Sequence, residues 1–348
     1  SILLYIPPIQ NFAVKKVTKI ASESLDMYID IGRIHLSFPL NLNVQRISVV
    51  DNEMDTLLYS NNLTVGVRVL PLLDKNISVR TLQLSDVRFN TKSLIEGMVI
   101  NGYLGDLDAT ANKINLSSEE AILNNLLLTD SYVSLRMDTT STSDTTSSAV
   151  KWNIDAEKIK LENITFDLQM PADSLSLSSY FKDVSLTGGE VDLGISQYKV
   201  SQFKVSGSQL NYDSGDQYIK NGLDPSHLAL SDIHIKLESV LYHEKNINAE
   251  IPQLSLKEKS GLFITSLNGK IESDEKTLTV PKLILETPYS KIEAQATIPW
   301  SSLDSIPDGN LTTQLIVSLD RRDVIAALGD LSDSFKSFYP ETSLKLLG

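Results

Sequence analysis

The chain contains no cysteine, so disulfide staples, thiol nucleophiles and thiolate metal sites are excluded together. Histidine is nearly absent as well. His35, His227, His234 and His243 are the whole supply, and no zinc finger can be assembled from them. Aromatic residues make up only 7% of the sequence. Basic side chains are outnumbered, 31 against 44 acidic ones, and the resulting charge of −13 argues against a protein that grips a phosphate backbone. The apolar run Ile2-Leu3-Leu4-Tyr5-Ile6 meets Pro7-Pro8 at once, far short of the roughly 20 residues that cross a bilayer as a helix.

What is present is length and a modest apolar share. At about 150 residues per domain, 348 residues allow two or three domains or one extended body. The run Ile2 to Ile6 reads either as a short strand or frayed terminus, or as the tail of a membrane helix that starts upstream. From Gln10 to Leu25, Val14, Val17, Ala21 and Leu25 follow helical spacing with Lys15, Lys16 and Lys19 off the stripe, which predicts an amphipathic helix. A second such pattern runs from Arg321 to Phe338, with Asp320 as its cap, Gly329 weakening its middle and Pro340 beyond its end.

Between the helices the period is two. Leu63 to Val69, Leu82-Gln-Leu84, Phe203-Lys-Val205, Leu254-Ser-Leu256 and Ile292 to Ile298 alternate apolar and polar, the pattern of strands with one buried and one wet face. Thr91 to Val99, Ser118 to Leu128 and Ser174 to Phe181 are weaker helix candidates within this body.

An irregular repeat runs through the strands. An apolar-x-apolar pair is followed, five residues after its second member, by another such pair. It occurs in LQLSDVRFNT (82–91), LLLTDSYVSL (126–135), IKLENITFDL (159–168), VSLTGGEVDL (184–193), FKVSGSQLNY (203–212) and IHIKLESVLY (233–242), with a degenerate copy at 47–56. Asp86, Asp130, Asn163, Gly188 and Gly207 occupy the same position, where turn or bulge geometry favours Asp, Asn or Gly. Two geometries fit the spacing. A tight turn would set Leu84 against Phe89, whereas a bulge would restore one face within a single long strand.

The unequal intervals between copies exclude a fixed-period solenoid or propeller and predict a long antiparallel meander with a mainly aliphatic face. Its candidate members are Leu82, Leu84, Phe89, Leu126, Leu128, Ile159, Leu161, Ile164, Phe166, Val184, Leu186, Val191, Leu193, Phe203, Val205, Leu210, Ile233 and Ile235. In a closed β-sandwich this face would meet a second sheet; in an open, curved sheet it would line a trough. Composition alone favours the sandwich. The polar stretch 138–149 cannot repay its ordering entropy and predicts a mobile loop, and a softer boundary lies near 215–225.

Catalytic constellations are not found. The sequence has no G-x-S-x-G elbow, no H-E-x-x-H, no Walker A loop and no G-x-G-x-x-G. Neither paired acids nor solvent-facing aromatics, as a polysaccharide enzyme would require, are evident. Residues 1–136, with LLYIPPIQNFAVKKVTKIAS, IDIGRIHLSFPLNLNVQRISVVDNEMDTLLY and LTVGVRVLPLLDKNISVRTLQLSDVRFN, resemble the N-terminal part of TamB-like proteins of the AsmA-like superfamily, in particular a Bacteroidota member. The strand pattern extends the likeness to about 320.

The resemblance implies an all-β fold, an extended, curved antiparallel sheet forming an open taco-like apolar trough capped by the N-terminal amphipathic helix. It implies an organisation of 1–28 as anchor end and capping helix, 29–319 as the trough, and 320–338 as a C-terminal helix. The implied function is a non-enzymatic, cofactor-free, periplasmic lipid-transfer bridge between inner and outer membrane, with a role in outer-membrane protein assembly. Its partners would be phospholipid acyl chains, the inner membrane through an upstream helix, and an outer-membrane assembly partner beyond the C-terminus, with no nucleic acid. A structural or adhesive β-sandwich surface protein is the alternative.

Overall fold

The computed structural model describes residues 22, 27–37, 41–67, 79–92, 97–115, 118–138, 151–303, 311–329 and 344–347. The N-terminal segments Ile2–Ile6 and Gln10–Leu25, and nearly all of the 138–149 stretch, lie outside them. The chain divides into two compact units, 1–172 and 173–348.

Unit 1 is built from β1 (Tyr28–Ser37), β2 (Asn41–Val50), β3 (Thr56–Val67), β4 (Val79–Asn90), β5 (Met98–Asn115), β6 (Glu120–Met137) and β7 (Asn153–Met170). The strands pair in sequence order, so the sheet is open rather than closed into a barrel. β1 to β6 are antiparallel neighbours. β7, however, pairs with β6 in parallel, Glu120 beside Asn153 and Arg136 beside Gln169. The expected meander is therefore interrupted once. A parallel neighbour needs a crossover of a dozen or more residues, and the polar stretch after Met137 supplies that length.

Unit 2 comprises β8 (Leu175–Asp192), β9 (Gln197–Ser214), β10 (His227–His243), β11 (Asn246–Glu258), β12 (Phe263–Ser273), β13 (Thr277–Glu286), β14 (Lys291–Pro299), β15 (Thr312–Ser318) and β16 (Leu344–Leu347). These nine also follow sequence order and are antiparallel throughout. Two of the three short internal helix candidates are strand instead, Glu120 to Leu128 in β6 and Leu175 to Phe181 in β8; of the third, Met98 and Val99 open β5, and 93–96 lie outside the described residues. Their apolar residues satisfied helical spacing over too few positions to outweigh the ladder.

Among the described residues, helix α1 (Arg321–Leu328) lies near the C-terminus. Asp320 caps it, its side chain accepting from the Arg322 amide at 2.9 Å. Gly329, with φ 50°, forms the C-cap rather than a weak point mid-helix. α1 leaves β15 and crosses the hairpin ends of unit 2. Asp323 accepts from the hydroxyls of Thr287 and Ser290 in the β13–β14 turn, and the Leu223 amide in the β9–β10 loop donates to the Ala327 carbonyl at 3.1 Å. That loop is itself closed by His227, fully buried, whose Nδ1 lies 3.0 Å from Asp224 Oδ2 and whose Nε2 lies 3.1 Å from the Gly215 carbonyl.

The repeats lie within single continuous strands. Asp86, Asp130, Asn163, Gly188 and Gly207 adopt left-handed φ of 50–66°, so the extra residue is absorbed in place and no tight turn forms. Two copies, those at 47–56 and 233–242, have a different frame in the structure. In β2 the left-handed residue is Arg46, inside LNVQRISV (42–49). In β10 the left-handed residues are Asp232 and Ser239, so LALSDIHI (228–235) is the copy that matches LQLSDVRF (82–89).

In unit 1 the left-handed residues Arg46, Asp86, Asp130 and Asn163 belong to a seam. Gly32, Arg46, Asn61, Asp86, Gly105, Asp130 and Asn163 stand opposite one another on the seven consecutive strands, and each pair keeps one register on both sides of the seam. The extra residue is thus matched by every neighbour instead of being opposed by one residue, as in an isolated bulge. Gly105 is required here, because a β-carbon would lie 2.7 Å from the Asp130 carbonyl oxygen. The Ser131 hydroxyl repairs part of the interrupted ladder, accepting from the Gly105 amide at 3.1 Å and donating to the Thr129 carbonyl at 2.9 Å.

Candidate functional site: an apolar face built of transverse rows

The seam decides where side chains point. In β4, Leu82 and Leu84 face one side, Ser85 and Asp86 both face the other, and Val87 and Phe89 return to the first. Alternation is shifted by one residue, and the apolar face continues across the seam.

Register then assembles residues that are far apart in sequence. Val65, Leu82, Ala109, Leu126 and Ile159 form one row across β3 to β7, and Leu63, Leu84, Leu107, Leu128 and Leu161 form the next. Beyond the seam come Ser60, Val87, Leu104, Ser131 and Ile164, then Leu58, Phe89, Gly102, Val133 and Phe166. In unit 2 one row crosses all nine strands: Val184, Val205, Ile235, Leu254, Leu267, Leu285, Ile292, Val317 and Leu344. At about 4.8 Å per strand this row is roughly 38 Å long.

Twelve of the eighteen repeat residues fall into these rows. Leu186 and Phe203 pair in unit 2, Leu210 faces Leu230, Ile233 faces Ser208, and Val191 faces Tyr198; Leu193 lies just past the end of β8. Leu254, Leu267, Leu285, Ile292 and Val317 belong to the same face but carry no copy of the repeat, so repeat-based reasoning missed them. Their plain alternation was the available signal.

Exposure separates the two geometries left open by composition. Of the eighteen candidates, Ile164, Val184, Val205 and Ile233 are buried, and the other fourteen remain partly exposed. A facing second sheet would have buried most of them. Each unit therefore presents an aliphatic surface that stays in partial contact with water.

The opposite face is charged and laced with ion pairs. Lys199 meets Glu190 at 3.0 Å, Lys257 meets Asp232 at 2.7 Å, and Lys291 meets Glu293 at 3.1 Å. Such exposed pairs contribute solubility more than stability. Asp86 receives hydrogen bonds from the Tyr103 hydroxyl at 2.7 Å and from the Asn61 amide at 3.2 Å, and these hold its carboxyl below the usual range. His234 is exposed on this side. Among the described residues no group of three or more metal-ligating side chains converges, and no helix is long and apolar enough to cross a membrane.

No protein-family model matches the chain, and no curated protein matches it. The fold and the site define its class: an open, unclosed β-sheet with one aliphatic and one charged face.

Proposed function

We propose that the aliphatic face carries lipid acyl chains without covalent chemistry, as part of a periplasmic path of the TamB-like kind between inner and outer membrane. One observation carries this reading: the apolar rows run across the strands without a polar interruption on the unit 2 row, so a sliding chain meets equivalent contacts at each strand. Burying each methylene contributes about 0.8 kcal/mol, so many weak contacts shelter an acyl chain without a deep pocket. Partial exposure leaves the face open for exchange, and the charged outer face keeps such a surface in solution.

In this reading membrane anchoring and outer-membrane assembly belong to the whole protein and its partners, and this chain contributes the carrier surface. A photo-crosslinker placed in turn at Leu84, Phe166 and Val205 tests it. Acyl chains should be captured at these positions and not at Glu162 on the opposite face. Silence at all three apolar positions, in protein shown to be folded, would sink the carrier reading.

A further inference from the structure

The charged face of unit 1 holds a second row that lipid carriage does not use. Tyr59, Arg88, Tyr103 and Tyr132 are successive partners across β3, β4, β5 and β6. Three of the chain's twelve tyrosines thus share one row, although sequence showed no aromatic cluster.

Two of the rings are tied down at their hydroxyls. Tyr59 donates to Asn61 Oδ1 at 3.0 Å, and Tyr103 donates to Asp86 Oδ1 at 2.7 Å. Both acceptors belong to the seam on the same face, and both rings remain partly exposed. Tyr132 continues the row with 37% of its surface exposed. A cavity of about 510 Å³ opens beside Tyr59 and Arg88 and is also lined by Ser48, Thr56, Asn90 and, from the apolar face, Phe89.

We propose that this row is a binding platform for a linear polysaccharide. The hydrogens on a pyranose face carry slight positive charge and rest favourably on the negative face of a tyrosine ring. Sugar hydroxyls both donate and accept, and the row supplies the Arg88 guanidinium, the Asp86 carboxylate, Asn61 and Asn90 amides and the Ser48 hydroxyl within reach of the rings. Tyr59 and Tyr103 stand two strands apart, roughly 10 Å, which suits successive units of a chain better than one enclosed sugar. The row is open along its length, as a polymer requires. An acyl chain would gain little from so polar a surface. A nucleic acid would need a basic surplus, which a chain of net charge −13 does not offer.

The full chain, incubated with insoluble chitin, cellulose and peptidoglycan sacculi and separately with phosphatidylcholine–phosphatidylglycerol vesicles, provides the test. Retention on at least one polysaccharide is expected, and Tyr132→Ala should weaken it about tenfold. Tyr103→Phe, which keeps the ring, should lose less than Tyr103→Ala, and thermal melting reports whether each variant is folded. No retention on any of the three polysaccharides overturns the proposal. So does unchanged retention in folded Tyr132→Ala and Arg88→Ala, or a loss confined to vesicle binding. The acyl-crosslinking result at Leu84, Phe166 and Val205 is read independently, because those residues lie on the other face.

Discussion

Phe89 and Gly102 face each other across β4 and β5, and the phenyl ring occupies the space that a side chain at Gly102 would fill. A β-carbon there would lie 2.8 Å from Phe89 Cζ and would clash with the Tyr132 carbonyl oxygen. The backbone oxygen cannot move aside without breaking the β5–β6 ladder. Gly102→Ala should therefore destabilise unit 1 by about 2 kcal/mol, in the range of strained core substitutions. Urea unfolding would measure it. Phe89→Leu in the same background should recover part of the loss, and no recovery would assign the strain to the backbone contact alone.

Charge on the apolar face should act differently at its buried and open positions. Ile164 is 6% exposed, so Ile164→Asp should cost about 3 kcal/mol or more. Leu186 is partly exposed, and Leu186→Asp should leave the fold standing while lowering acyl capture by a crosslinker at Val205. Equal stability losses at the two sites would contradict the row assignment.

The parallel pair fixes a length requirement. Met137 and Asn153 stand at opposite ends of strands whose 17 steps cover about 56 Å, and the 16 steps joining them reach about 53–58 Å at most. Twist shortens the strand span a little, but slack is small. Deleting four residues from 139–150 should strip hydrogen-exchange protection from β7, whereas inserting four Gly/Ser residues should cost well under 1 kcal/mol. Single polar-to-charged changes in the same stretch should be silent. A harmless four-residue deletion would refute the in-register parallel pairing.

The cap of α1 should be acid-labile. Arg322, through its side-chain and backbone hydrogen bonds, holds the Asp320 carboxyl down to about 2 from its ordinary 3.8. A carboxyl depressed in the folded state stabilises above its unfolded value and loses that contribution as pH falls through its folded one. Amide protection over Val324 to Leu328 should therefore decline between pH 3.8 and about 2, and Asp320→Asn should remove that decline. A decline centred well above this window would assign the lability to another group.

The seam predicts a conformational preference at single positions. Asn163 has φ 55°, so Asn163→Val should cost about 1–2 kcal/mol in thermal unfolding, and Asn163→Gly far less. Similar losses for both would place the importance of Asn163 in its amide contact with Asp130 rather than in its backbone.

Strands, their apolar face and the position of the special residues were legible because each leaves a local trace: alternation, or an Asp, Asn or Gly at a fixed offset. Whether Asp86 made a turn or stayed within a strand was not, since the same φ serves both. The reversed partner at β7 was equally hidden. Nothing in IKLENITFDL states which way its neighbour runs. The helix pattern spans 321–338, yet α1 ends at Gly329, where the backbone turns left-handed, and 330–338 lie outside the described residues. The row of Tyr59, Tyr103 and Tyr132 depends on pairing between strands, and 73 residues separate its first and last members.

Alternation alone protects a sheet only against slips of one residue, because a slip of two returns every side chain to its own face. Such a shift would leave most aliphatic rows nearly as apolar as before. It would, however, move Asp86 and Asp130 off Gly105, whose missing side chain leaves room for the Asp130 carbonyl. The seam thus works as a registration mark across seven strands, rejecting the one error that a greasy, repetitive face would otherwise forgive.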